Sequence, residues 1–304
     1  APCVPIVTEE ITGDQPRSTV GQVYDLLMAD LKESYDLFVQ CGMEKTATPT
    51  DIDGCFAAMY LARAHMIKHE WAEAAKYAQV IIDNVPILTS ASDILQGFSS
   101  LNLPDIVYGC DITADNSTIY MSWFSQMDMF GDGYAAIGVW RAGFEPTVER
   151  MGATDIRRDW FVTPDNYARL SAELGLYPEV YYQVGPAGGG LPWYQSCKFI
   201  GAGRSNVVDG YGSGWELGDY IYLRSEEAHF IKAEALAHMG DANAVKVLND
   251  FMVTRDPNYA YTFTDKAALI EEINYQKRVE FWGEGIEYLD NRRLNIPIDR
   301  TDAT

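Results

Sequence analysis

From Thr19 to Phe38 apolar side chains recur three and four residues apart, so that Val20, Val23, Tyr24, Leu27, Leu31 and Tyr35 share one face, the spacing of an amphipathic helix. Thr19 followed by Gln22 forms a capping-box pair at its start. After a polar break through Pro49, with Thr50 or Asp51 as candidate caps, the period returns from Cys55 to Lys68 in Phe56, Met59, Tyr60, Ala62, Arg63 and Met66. A further helix follows at once, from Trp71 to Asp83, carrying Ala74, Ala75, Ala78, Ile81 and Ile82.

Short helical hairpins with small residues at the crossing are the unit of helical repeats. Counted from Cys55, the small residue, the aromatic, the alanine and the closing proline of a tetratricopeptide unit fall on Ala62, Trp71, Ala74 and Pro86. Alanines let two helices approach closely, the aromatic plugs the hairpin end and the proline stops the second helix. The tryptophan usual near the start of such a unit is Ala58 here. A second hairpin is predicted from Asp219: Tyr220, Leu223, Ala228, Ile231, Ala235 and Leu236 mark its first helix, Gly240-Asp241 its turn, and Ala244, Val247, Leu248 and Phe251 its second helix, with Asp256-Pro257 as the stop. A last helix, Asp265 to Trp282, carries Leu269, Ile270, Ile273, Val279 and Phe281.

Between the hairpins, from Leu88 to Gly218, glycine, proline and aromatic residues replace the helical period, with breakers at Gly131-Asp132-Gly133, at 185–190 and at 210–214. Short alternating runs such as Glu179 to Val184 read as strands. A segment of this length between two hairpins reads as a functional insertion rather than a linker.

Composition narrows the function. The chain has 304 residues, 47% of them hydrophobic, and a formal charge of −21. It can bury roughly three quarters of its unfolded surface, and its long-range field repels nucleic acid and anionic lipid surfaces. Five scattered cysteines, Cys3, Cys41, Cys55, Cys110 and Cys197, form neither a zinc ribbon nor an even disulfide framework and read as small buried hydrophobes. There is no Walker-type phosphate loop, dinucleotide fingerprint or G-x-S-x-G elbow. No run approaches the ~20 apolar residues of a membrane span.

Three stretches, taken together, resemble the SusD/RagB family. Phe56 to His65 with Trp71 to Ala78 is similar to that family's central hairpin, and Tyr222 to Leu236 with Gly240 and Ala244 to Asn249 to its late hairpin. In the stretch from Ile270 to Arg293, residues Arg278, Glu280, Phe281, Glu284, Gly285, Asp290 and Arg293 fall on the family's C-terminal signature. Asp155-Ile156-Arg157 looks like its Asp-x-Arg element. Glu287 departs from the pattern, standing where the family has arginine, and the family's longer N-terminal part, beginning at a lipidated cysteine, has no counterpart here.

The resemblance implies a mostly α fold: a SusD-like α-α superhelix with tetratricopeptide-type hairpins and a long loop-rich insertion. Residues 1–304 would form a single SusD-like domain, divided into an N-terminal helix and first hairpin (19–86), a ligand-binding insertion (87–218), a second hairpin (219–257) and a C-terminal signature helix (264–293). It further implies a non-catalytic surface lipoprotein of a gram-negative outer membrane. Such a protein captures an oligosaccharide, or in some members a peptide, and passes it to a SusC-like TonB-dependent barrel. Its membrane attachment would come only through an upstream lipidated cysteine.

Sugar recognition needs flat aromatic faces for the apolar side of a ring, plus neutral or charged groups for its hydroxyls. The insertion supplies Tyr120, Trp123, Phe124, Tyr134, Trp140 and Arg141, and later Tyr177, Tyr181, Tyr182, Trp193, Tyr194, Tyr211 and Trp215. A single such ring more often packs against a core; the group is more telling. The family places binding aromatics before its Asp-x-Arg element, so the expected ligand-binding residues are Trp140, Trp123 and Tyr120, with Arg141, Asn116 and Tyr134.

Other chemistries read more weakly. His65 and His69 lie four apart on a helix without a third ligand. Asp111, Asp115 and Asn116, or Asp128 and Asp132, lack calcium-loop spacing, so no metal or cofactor is expected. A glycoside hydrolase would need an acid pair; Glu226, Glu227, Glu234, Glu280 and Glu284 are the suspects, but their helices account for them as solvated faces, dipole partners or ion pairs with Arg278 and Arg293. A tetratricopeptide-like scaffold that binds only protein is the third reading.

Overall fold

The computed structural model describes residues 1–9, 13–118, 121–129, 133–135, 141–174, 193–201 and 217–297. The fold is mostly helical, as the periodicity predicts. Helix α1 (Val20–Gln40) starts at Thr19, whose hydroxyl accepts the Gln22 N–H at 3.2 Å while the Gln22 side chain accepts the Thr19 N–H at 2.9 Å. Helices α2 (Gly54–Ile67) and α3 (Trp71–Asn84) form the first hairpin. The cap of α2 is Asp53 rather than Thr50 or Asp51: its Oδ1 accepts the Phe56 N–H at 2.9 Å, while Oδ2 holds Lys45 and the Thr46 N–H. Cys55, Ala58, Ala62, Ala74 and Ala78 are fully buried at the crossing, which is what allows the two helices to approach.

The largest difference from the sequence reading lies at the second hairpin. Tyr220 to Leu223, assigned above to a helix, belongs to a strand, β4 (Tyr220–Arg224), which pairs antiparallel with β1 (Ile106–Cys110). Helix α8 (Glu226–Met239) begins only after it. Tyr-Ile-Tyr-Leu suits a pleated strand, but a partner more than a hundred residues away is invisible to a local period. Gly240, in the left-handed conformation at φ 74°, ends α8, and α9 (Asn243–Met252) returns antiparallel. Helix α10 (Lys266–Glu280) is capped by Asp265, and α11 (Ile286–Leu294) follows a tight turn.

Helix α8 packs on α3, α9 and α10, and α1 leans on α2. Trp71 joins the hairpins, stacked on His238 of α8 with ring centroids 3.9 Å apart. The insertion has short elements of its own: α4 (Ala91–Ile94), α5 (Trp123–Met127), α6 (Glu145–Glu149), a 3-10 turn (Ile156–Trp160), β2 (Phe161–Val162), α7 (Tyr167–Leu174) and β3 (Gln195–Ser196), the last paired with β2. Its core gathers Phe98, Phe124, Trp160, Phe161 and Phe199 against Tyr275 and Val279 of α10. The strand expected at Glu179 to Val184 lies outside the described residues. Of the five cysteines only Cys55 and Cys197 are buried; Cys41 is exposed, so the buried-hydrophobe reading fails there. No helix among the described residues is long and apolar enough to cross a membrane.

Candidate ligand-binding site

The site is built on a buried ion network. The C-terminal end of α10 supplies Glu280, and the turn after it, Glu284. Arg255 contacts Glu280 through Nε and Nη2, both at 3.1 Å, and reaches Glu226 at 3.2 Å. Arg224, at the end of β4, forks onto Glu284 at 3.0 and 2.9 Å and touches Glu280 at 3.3 Å. Arg157 is held by Asp155 at 3.0 and 2.7 Å and leans on Glu280 at 3.4 Å. Lys198 donates to Glu284 at 2.6 Å and to the Glu280 and Trp282 carbonyls.

Burial alone would raise the Glu280 carboxyl, but Arg255, Arg224 and Arg157 outweigh it and hold the group far below the ordinary carboxylate range. Glu284 is lowered in the same way, burial being overcome by Arg224 and Lys198. Burial wins at Lys198, whose pKa falls to about 8 despite Glu284. Asp105 behaves oppositely: burial and then the neighbouring Glu226 push it well above its usual 3.8, against Arg224. Arg157, Arg224, Arg255 and Lys198 thus face one carboxyl more than they can neutralise: Asp105, Asp155, Glu226, Glu280 and Glu284. As carboxylates, neither oxygen of Asp105 nor Oε2 of Glu226 has a hydrogen-bond partner.

Above this network opens a cavity of about 540 Å³. Its walls are β4 (Tyr220, Ile221, Tyr222, Arg224), the start of α5 (Met121, Ser122, Trp123, Gln126), Phe98, Phe199 and the turn Gly283-Glu284-Gly285. Trp123 meets Phe199 edge-to-face at 5.4 Å, and its backbone N–H donates to the Tyr220 hydroxyl at 3.0 Å, so strand and helix fix each other. At the mouth Trp123 is 36%, Tyr222 53% and Met121 84% exposed. Gly283 sits at φ 83°, where an added Cβ would lie 2.7 Å from the Phe199 ring; only glycine lets the turn close against that wall.

The sequence-predicted residues divide. Trp123 lines the cavity. Arg141 stands behind it, its Nη2 3.4 Å from Oε1 of the lining residue Gln126. Asn116 is exposed and braces a turn, accepting the Thr113 N–H at 2.7 Å and donating to the Asp111 carbonyl at 3.0 Å. Tyr134 is exposed and its N–H donates to Ser125, but it does not line this cavity. Tyr120 and Trp140 lie outside the described residues, as do Tyr177, Tyr181, Tyr182, Tyr211 and Trp215. Phe124 is core, 1% exposed, and Trp193 packs edge-on against Tyr167. Missed by the sequence reading were Tyr220, Tyr222, Met121, Gln126 and Phe199. The alternation Tyr220-Ile221-Tyr222 was the available signal.

The suspect glutamates are not solvated faces. Glu226, Glu227, Glu234 and Glu280 are each at most 1% exposed. Glu227 takes Arg63 at 2.9 and 2.5 Å, and Glu234 takes Arg293 at 2.7 and 2.9 Å. Arg278, expected as a partner, pairs instead with Glu287 at 2.9 Å, so this pair occupies the place where the signature departs. The cavity's own carboxylates are spoken for: Glu284 by Arg224 and Lys198, Asp219 by the Leu101 and Ile112 N–H groups at 2.9 and 3.1 Å. A Glu284 held ionised by two cations is a poor proton donor. His65 bonds Glu70 at 2.7 Å and stacks on Tyr77; among the described residues no group of three or more His, Cys, Asp or Glu is placed to hold a metal ion.

No protein-family model and no curated protein matches the chain. Solved structures do. A SusD-like carbohydrate-binding protein from Bacteroides vulgatus superposes with a TM-score of 0.75 at 23% identity, over 97% of this chain and 56% of its own. A SusD superfamily protein from Bacteroides thetaiotaomicron gives 0.72 at 18% identity, over 99% and 62%. Surface glycan-binding protein A from the same species, in complex with laminarihexaose, gives 0.64 at 17% identity, over 92% and 62%. The chain therefore has the SusD-like fold, and it spans less than two thirds of the length of these structures.

Proposed function

We propose that this chain is the larger part of a non-catalytic glycan-binding protein that captures an oligosaccharide at the cell surface, with residues 1–304 acting as one SusD-like domain. The single observation that carries the reading is the cavity over the ion network: half-exposed Trp123 and Tyr222 at its mouth, Gln126 and Thr118 as neutral polar groups on its wall, and both lining carboxylates already engaged. Flat rings with a few polar groups suit a solute that is gripped rather than transformed. Similarity in fold to carbohydrate-binding proteins, one of them solved with laminarihexaose, supports it.

Within this reading Trp123 is the principal stacking residue, and Trp140, Tyr120, Arg141, Asn116 and Tyr134 extend the site from the adjoining loops. The full-length protein is lipid-anchored on the outer face of the outer membrane and delivers its ligand to a SusC-like TonB-dependent barrel. The test is an oligosaccharide array probed with the purified chain, followed by titration of tryptophan fluorescence with each hit and a long incubation assayed for new reducing ends. Saturable quenching without product is expected; steady product release, or an array without hits, would sink the proposal.

A further inference from the structure

We infer that the ligand is an uncharged oligosaccharide of several units, seated on Trp123 and running out of the cavity over the rings of Tyr222, Tyr108, Phe56 and Tyr60. This rests on the glycan-binding reading and narrows its ligand class.

The first observation is charge. Arg224, the one cation lining the cavity among the described residues, is committed to Glu284 and Glu280. Beside the ring row, Arg63 is forked onto Glu227 and Lys45 is bonded to Asp53 at 3.1 Å. An acidic sugar entering here would lose water and meet, among the described lining residues, no cation that is not already paired, inside a chain of formal charge −21. A basic sugar would have to take Glu284 from Arg224 and Lys198, or Asp219 from two backbone N–H groups. Hydroxyl groups ask only for neutral donors and acceptors such as the side chains of Thr118, Gln126 and Tyr220 on the wall.

The second observation is continuity. Tyr222 belongs both to the cavity wall and to the surface. Its ring stacks on Tyr108 at 6.0 Å and 28°, Tyr108 meets Phe56 at 4.9 Å, and Phe56 meets Tyr60 at 4.9 Å. Tyr222 is exposed, and Tyr108, Phe56 and Tyr60 are partly buried, each with one side packed on the core of the first hairpin. Strands β1 and β4 and the first turns of α2 thus carry a band of rings from inside the cavity to the face of the first hairpin. A single sugar fills only the inner end of such a band; a chain of units uses its length.

The test is an array of neutral, uronate, sulfated and amino oligosaccharides, followed by calorimetry on a length series of the best hit. Hits confined to uncharged glycans and affinity rising with length are expected. Tyr222→Ala should weaken the long oligomers about tenfold while the shortest binder changes much less. Tyr60→Ala, at the far end, should weaken only the longest. The length series on the unaltered protein stands even where a variant folds poorly. Preference for acidic or basic glycans, or affinity independent of length, overturns this inference and leaves glycan binding intact. Absence of every hit removes the reading beneath it as well.

Discussion

Beneath the cavity Arg157, Arg224 and Arg255 share Glu226 and Glu280 at 1% exposure or less, whereas at its mouth Trp123, Tyr222 and Met121 stand between 36% and 84% exposed. The two regions meet at Arg224 and Glu284, which belong to both. Below, charge is used where water cannot reach it, each group fixed by several others, so that the turn 283–285 and the end of β4 have one geometry. Above, the walls are rings and neutral polar groups, whose contact with a ligand requires no charge to be uncovered. The floor supplies position and the rim supplies contact.

The sharpest way to break this division is Glu280→Ala. Removing the carboxylate that Arg157, Arg224 and Arg255 share leaves the buried cluster one negative charge short, and should cost about 3–5 kcal/mol in denaturant unfolding. Acid probes the same group. Its folded pKa is depressed, so its contribution is present above the unfolded value of 4.5 and is lost as pH falls below it, because the unfolded chain takes up the proton first. Thermal melts should therefore fall steeply below that value. Trp123→Ala should do the reverse of Glu280→Ala: about 2 kcal/mol lost in ligand binding, roughly thirtyfold, with unfolding little changed.

Gly283→Ala tests the seam between the two regions. A side chain at φ 83° facing Phe199 should cost about 1–2 kcal/mol of stability and weaken binding by shifting the wall. Smallest of all, Asp105→Asn should change stability by less than about 1 kcal/mol at neutral pH, since it replaces a carboxyl whose charge burial and Glu226 disfavour by a neutral amide of the same shape. The sign is again fixed by linkage. A raised folded pKa gives stability that is full below the unfolded value of 3.8 and is lost as pH rises through the folded value. The variant cannot lose that contribution, so melts should show it gaining on the parent protein as pH rises; a gap in its favour that widens toward acid would contradict the upward shift of Asp105.

The first hairpin was legible because its helices satisfy their own backbone and reveal a face: Ala62, Trp71 and Ala74 fell into register, and Asp265 and Gly240 bounded the later helices. The site was legible only in part. Trp123 stood out as an exposed-type aromatic in a loop, but Tyr220 and Tyr222 were hidden inside a stretch assigned to helix. Glu226 and Glu280 read equally as solvated faces, dipole partners or ion pairs with Arg278 and Arg293, because a glutamate on a helix carries no mark of what will cover it or which arginine will answer it.

What the residue order determined by itself is whatever depends on neighbours within a few positions: helix period, caps, hairpin turns and the signature residues around Glu280. Tertiary structure alone decided which strand pairs with Ile106–Cys110, which arginine answers which glutamate, and that Trp123, Phe199 and Tyr222 enclose one cavity. Those are contacts between segments tens to more than a hundred residues apart, and their energy comes from burial and charge pairing that exist only once the segments have met.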